Sequence, residues 1–68
     1  MRIKVSSADG SPLHLWAYEN FKEHYNAILI DYNTTQGMLI NYIIYEIKED
    51  TIDLSYANEH GFKVEALS

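Results

Sequence analysis

The stretch Gly37 to Glu49, "GMLINYIIYEIKE", is apolar on both sides of a two-residue repeat. One side reads Met38, Ile40, Tyr42, Ile44, Glu46, and the other Leu39, Asn41, Ile43, Tyr45, Ile47. A half-buried strand needs an apolar side only where it meets the core. Strand 38–47 is therefore expected at the centre of a sheet, and its second apolar side needs a cover.

The neighbouring segments have simpler patterns. Arg2 to Ser6 alternates, with Ile3 and Val5 on one side and Arg2 and Lys4 on the other, as in a strand with one solvated face. Asp9-Gly10 in "SSADGSP" reads as a turn. Leu13, Trp16, Ala17, Phe21, Tyr25 and Ile28 then recur mostly at fours, opposite Glu19, Lys22, Glu23 and Asn26. This spacing predicts an amphipathic helix over 13–26, with Ser11 as its cap and Pro12 in its first turn. The competing reading pairs residues 13–17 as a second strand across an Asp-Gly hairpin, leaving only "ENFKEHY" helical. Ile28, Ile30 and Tyr32 alternate before a turn at "NTTQG". After strand 38–47 and a reversal at Glu49-Asp50, Ile52, Leu54 and Tyr56 alternate over 51–57. "NEHG" turns the chain into a last strand over 62–66.

These elements predict an α+β fold in one domain, 1–68: a small antiparallel sheet of four to five strands packed on one N-terminal helix, its last four strands a meander. The alternative is a small all-β barrel. Three covers compete for the second side of strand 38–47. The N-terminal segment could roll over it with Trp16 or Phe21 as a lid, a second copy could pair with it, or another protein could dock there. Monomers rarely leave several hundred Å² of contiguous apolar surface bare.

Length sharpens that question. A chain of 68 residues buries only about 60 % of the surface its unfolded form exposes, and its core supplies roughly 3–5 kcal/mol of net stability. Small chains commonly add disulfides, a metal or a partner. Cysteine is absent, which removes disulfides and thiolate metal sites and fits a cytoplasmic setting. No apolar run is long enough to span a bilayer, and "MRIKVSSADGS" lacks the apolar core of a secretory signal. Asn33-Thr34-Thr35 reads as a polar turn and not as a glycosylation site.

The net charge of −5 is unevenly placed. Up to Ile30, Arg2, Lys4 and Lys22 balance Asp9, Glu19 and Glu23. Beyond it, Asp31, Glu46, Glu49, Asp50, Asp53, Glu59 and Glu65 face only Lys48 and Lys63. Such a surface repels phosphate backbones, so direct nucleic-acid binding is not expected, whereas a basic protein surface would be attracted.

Motifs for chemistry are weak. His14, His24 and His60 could form a small metal-binding or catalytic domain, but they show neither H-E-x-x-H nor an i, i+4 pair. Ser6, Ser7, Ser11 and Ser55 lie outside G-x-S-x-G. Glu49-Asp50 falls in an exposed turn where nothing would tune a pKa. No cofactor is implied. The expected function is non-enzymatic: a protein–protein interaction module, self-associating through strand 38–47, and in its more pointed form an acidic inhibitor or decoy of a nucleic-acid-handling protein. The expected contact residues are Met38, Ile40, Tyr42, Ile44, Glu46, Glu49, Asp50 and Asp53. A one-residue register slip would exchange this face for Leu39, Ile43 and Tyr45.

Overall fold

The computed structural model describes residues 1–49 and 51–67. In chain order the elements are β1 (Arg2–Ser7), β2 (Leu13–His14), α1 (Leu15–Tyr25), β3 (Ile28–Gln36), β4 (Leu39–Glu46), α2 (Ser55–Glu59) and β5 (Phe62–Ala66). The strands form one antiparallel, five-stranded open sheet with α1 packed on one face. The barrel alternative is thereby corrected.

β1 alternates as its sequence requires: Ile3, Val5 and Ser7 are buried and the residues between them are not. It pairs with β4 on one side (Val5 opposite Ile43) and with β5 on the other (Val5 opposite Val64). Hydrogen bonds between Met1 and Ile47 in both directions, each 2.9 Å, carry the β1–β4 ladder one step further. β3 lies along the far edge of β4. Because that edge is taken, β2, which places Leu13 opposite Ile40, shares the near edge with β1 and continues its line. The sheet thus runs β3, β4, β1 with β2, β5, and β4 has strands on both edges.

Residues 13–26 divide between the two readings of the sequence. Leu13 and His14 are strand, and the helix starts only at Leu15. Ser11 does not cap it. The Asp9 carboxylate accepts from the Ser7 hydroxyl (2.6 Å), the Ser11 N–H (2.9 Å) and the Ser11 hydroxyl (2.5 Å), so Ser11 is held in the preceding turn. The His14 ring nitrogen takes the capping position and accepts from the Trp16 N–H. α1 ends at Asn26 in the left-handed region (φ 51°), a usual way to stop a helix.

The strand expected at 51–57 is corrected as well: residues 55–59 are helical. Asp53 accepts from the Ser55 N–H (2.9 Å) and hydroxyl (2.7 Å), which turns the chain where a strand would have continued. α2 sends Ala57 into the core. With no strand there, β5 crosses to pair with β1, and the four-strand meander is replaced.

The core collects Ile3, Val5, Tyr18, Phe21, Ala27, Ile40, Ile43, Tyr45, Ile47, Ala57 and Phe62. Phe21 stacks on Tyr45 (5.7 Å, 9°) and meets Phe62 edge-on (5.3 Å). Both buried phenols have partners: Tyr45 donates to the Tyr18 carbonyl (3.1 Å) and Tyr18 to the Ile40 carbonyl (3.4 Å). Burial pushes both hydroxyls above the ordinary tyrosine pKa. Fully burying one large apolar side chain contributes about 1.5–3 kcal/mol. This cluster is therefore where the small fold gains most of its stability.

Candidate functional site

Ile40 is 2 % exposed and Ile43 1 %, although three positions separate them. The register explains this. Asn33 faces Tyr42 and Thr34 faces Ile40, so Asn41 has no partner of its own in β3. This is a β-bulge, and it reverses which side of β4 faces the core. The Asn41 side-chain amide (Nδ2) donates to the Asn33 side-chain oxygen (Oδ1) across it (2.8 Å). The core side of β4 is therefore Ile40, Ile43, Tyr45 and Ile47, and the contact face expected from strict alternation is broken. Ile40 leaves it for the core, Met38 lies in the exposed turn before β4, and only Tyr42, Ile44 and Glu46 remain together.

Those three share the uncovered face of the sheet with Arg2 and Lys4 of β1 and Lys63 and Glu65 of β5. No N-terminal lid covers this face: Phe21 is in the core and Trp16 is 66 % exposed. The cover comes instead from cross-strand neighbours. The Lys4 ammonium lies 4.6 Å from the Tyr42 ring centre, and its methylene stem lies beside Ile44, its pairing partner. Arg2 meets Glu46 at 3.5 Å and Lys63 meets Glu65 at 3.2 Å. Tyr42 and Ile44 are half-buried as a result.

A less sheltered apolar surface lies at β3, where sequence reasoning placed no contact residues. Ile28 (51 %), Leu29 (43 %), Ile30 (41 %) and Tyr32 (55 %) are all exposed, joined by Met38 and Leu39 beyond the turn. The cause is the placement of α1. Its rings meet Tyr45 of β4 and Phe62 of β5, so Leu29 and Tyr32, on the same sheet face, lack a cover. Between them and Leu15 and Glu19 of α1 runs a groove of about 480 Å³, with Ile40 and Ile43 along it and Met38 at its side. The signal in the sequence was the run Ile28-Leu29-Ile30, which is apolar without alternation and adjoins the loudest strand.

The acidic residues do not share one environment. Glu46 is bridged to Arg2 on the sheet. Glu49 and Asp53 are exposed beside His24 and Ile52, around a hollow of about 300 Å³. The bonds from Ser55 hold the Asp53 carboxyl below the usual range. Asp50 lies outside the described residues.

The histidines have separate local roles. His14 caps α1. His24 and His60 each stack on Tyr56 at 4.0 Å, and at that spacing they must take opposite faces of its ring. Tyr25 joins the edge of this stack, donates to the Asp53 carbonyl (2.7 Å) and accepts from the Ala57 N–H (3.3 Å). The four rings tie α1 to α2. Among the described residues no three histidine, aspartate or glutamate side chains gather as metal ligands would, and no helix is long and apolar enough to cross a membrane.

The chain matches no protein-family model, no curated protein and no solved structure.

Proposed function

We propose that this protein is a non-enzymatic protein–protein interaction module whose contact surface runs along β3 and the turn into β4. One observation carries the reading. Leu29 and Tyr32 stay exposed on the helix-side face of β3 and, with Met38, line an apolar groove, while Ile28, Ile30 and Leu39 are exposed around the same edge. Contiguous apolar surface of this kind is the usual mark of a docking site. Tyr32 and Met38 belong to residue types enriched in such contacts. Tyr42, Ile44 and Glu46 form a more polar surface on the sheet face beside it. The test is a photo-crosslinking side chain at Tyr32, activated in the source cell, with the same group at Ser55 as control. Discrete adducts from Tyr32 are expected. Their absence from Tyr32 would remove the reading.

A second reading, docking of the acidic side on a basic protein surface, is favoured by Glu49 and Asp53. Both are exposed, and Asp53 is held ionised by Ser55. Such a complex would lose association rate as salt rises. A salt-independent rate would exclude it.

A further inference from the structure

We infer that the occupant of the β3 surface is a second copy of this chain, joined by antiparallel pairing of β3 with its own equivalent. The inference rests on the interaction reading above and names its partner.

β3 is bonded to β4 along one edge, and no strand lies along the other among the described residues. An unpaired, apolar strand edge is a template for another strand. The backbone N–H of Tyr32 donates to the Asp31 carboxylate (2.8 Å). A donor inside the ladder needs no side-chain acceptor, whereas one on an open edge does. Tyr32 therefore marks the outward-facing register of β3, and Asp31 occupies the donor that a partner strand would use.

Three observations select a copy of the same chain. First, antiparallel pairing of identical strands closes on itself about a two-fold axis, so each copy both gives and receives the same surface. With Tyr32 on that axis, Asp31 faces Asn33 of the other copy and not its own equivalent. Tyr32 and Leu29, which share the helix-side face of the sheet, then extend toward the other copy's groove. Second, β3 carries one charge, Asp31, of the net −5, leaving −4 on the rest of the chain. Antiparallel pairing along this strand therefore brings few like charges together. Third, six large apolar side chains, Ile28, Leu29, Ile30, Tyr32, Met38 and Leu39, are exposed around this edge on both faces of the sheet, so a strand paired there meets apolar surface on either side. Such a dimer is reversible and depends on concentration. Asp31 acts as its brake, because pairing must displace the carboxylate from the Tyr32 N–H.

Sedimentation equilibrium of the full chain over a wide concentration range tests this, with amide exchange of β3 followed in parallel. A monomer–dimer equilibrium is expected, with the outward-facing Tyr32 amide gaining protection as concentration rises while the Asn33 amide, already turned toward β4, does not change. Tyr32→Lys, at an exposed position, is expected to weaken the dimer by about tenfold or more while leaving the circular dichroism spectrum unchanged. Asp31→Ala, which removes the acceptor, is expected to tighten it severalfold, and Ile44→Lys to leave it intact. A chain that stays monomeric in both the wild type and Asp31→Ala overturns the inference, as does a dimer indifferent to Tyr32→Lys. Either result leaves the interaction reading standing if Tyr32 crosslinks to a different protein. If Tyr32 crosslinks to nothing, both fall.

Discussion

β3 and β4 begin from the same kind of sequence, Ile28-Leu29-Ile30 against Ile43-Ile44-Tyr45, yet they meet different surroundings. β4 has strands on both edges and α1 over one face. Its remaining face is crossed by the side chains of β1, so even Ile44 is half-buried. β3 has one edge paired and no helix over it, and its apolar residues stay exposed. The difference teaches that burial belongs to position in the sheet and not to the strand's own pattern. A central strand draws cover from its neighbours, including the stems of charged residues. An edge strand of the same composition keeps its surface available for association.

The comparison breaks most visibly at two adjacent residues of β4. Ile43 lies in the core and Ile44 on the open face. Ile43→Asp buries an unpartnered carboxylate, at a cost of about 4 kcal/mol or more. That consumes the roughly 3–5 kcal/mol available to a core of this size, so no cooperative thermal transition is expected. Ile44→Asp is expected to keep the fold with a loss near 1 kcal/mol, as for a partly exposed position. Thermal denaturation followed by circular dichroism distinguishes them. Equal loss in both would mean that the two faces of β4 are equally buried.

This pair of residues also shows how far the sequence could be read. β1, β5, the middle of α1 and the central place of β4 follow from simple periods: Ile3 and Val5 alternate, and Phe21 and Tyr25 recur on one helical side, although Trp16, read on that side, is exposed and Tyr18 is buried instead. The two-faced character of residues 38–47 was legible too, and it correctly raised the question of cover. The assignment of the face was not legible. A bulge at Asn41 changes the parity of every residue beyond it, and no alternation rule reveals one inserted position. Nor did the pattern reveal α2. Ile52, Leu54 and Tyr56 fit a strand period, and the local hydrogen bonds of Asp53 to Ser55 outweighed it. The available clue was a repeat. Asp9-Gly10-Ser11 and Asp53-Leu54-Ser55 share Asp-x-Ser, and in both the aspartate accepts the N–H and hydroxyl of the serine two residues on. One ends β1 and the other starts α2. The exposed apolar residues on β3 were not anticipated because exposure at an edge depends on where α1 comes to rest, which is a tertiary result.

The first Asp-x-Ser turn sharpens the contrast through pH. It lets the chain leave β1 and return to β4 as β2, filling the rest of β4's near edge. Bonds from Ser11 and Ser7 lower the Asp9 carboxyl from its ordinary value of 3.8 to about 2. A carboxyl depressed in the folded state contributes stability that is fully present above its unfolded pKa and is lost as pH falls through its folded one. The acid limb between about pH 4 and 2 should therefore show a loss that Asp9→Asn reduces. Asp53, also lowered, contributes to the same limb, so the double variant Asp9→Asn, Asp53→Asn should be flatter still. Proton uptake on acid unfolding, compared between variants, measures this directly. An Asp9→Asn profile superimposing on the wild type would show that the Asp9 carboxyl binds its proton equally in the folded and unfolded chain.

The smallest expected effect concerns the cover that separates β4 from β3. Lys4 contributes through its charge over Tyr42 and through its stem beside Ile44. Partly exposed cation–π contacts are worth about 0.5–1 kcal/mol. Lys4→Met retains most of the stem and loses the charge, and Lys4→Ala loses both. If the stem provides the cover, Lys4→Ala should expose Tyr42 and Ile44, raise binding of an apolar dye and lower stability by about 1 kcal/mol, while Lys4→Met stays near the wild type in dye binding. If the charge dominates, the two variants lose stability equally. Salt then decides between them, because an exposed charge contact weakens with ionic strength and a covering hydrocarbon stem does not. The first outcome would make the closed face of β4 a product of side-chain length on β1. β3 has no such shelter on its outer edge, where, among the described residues, no neighbouring strand supplies long side chains.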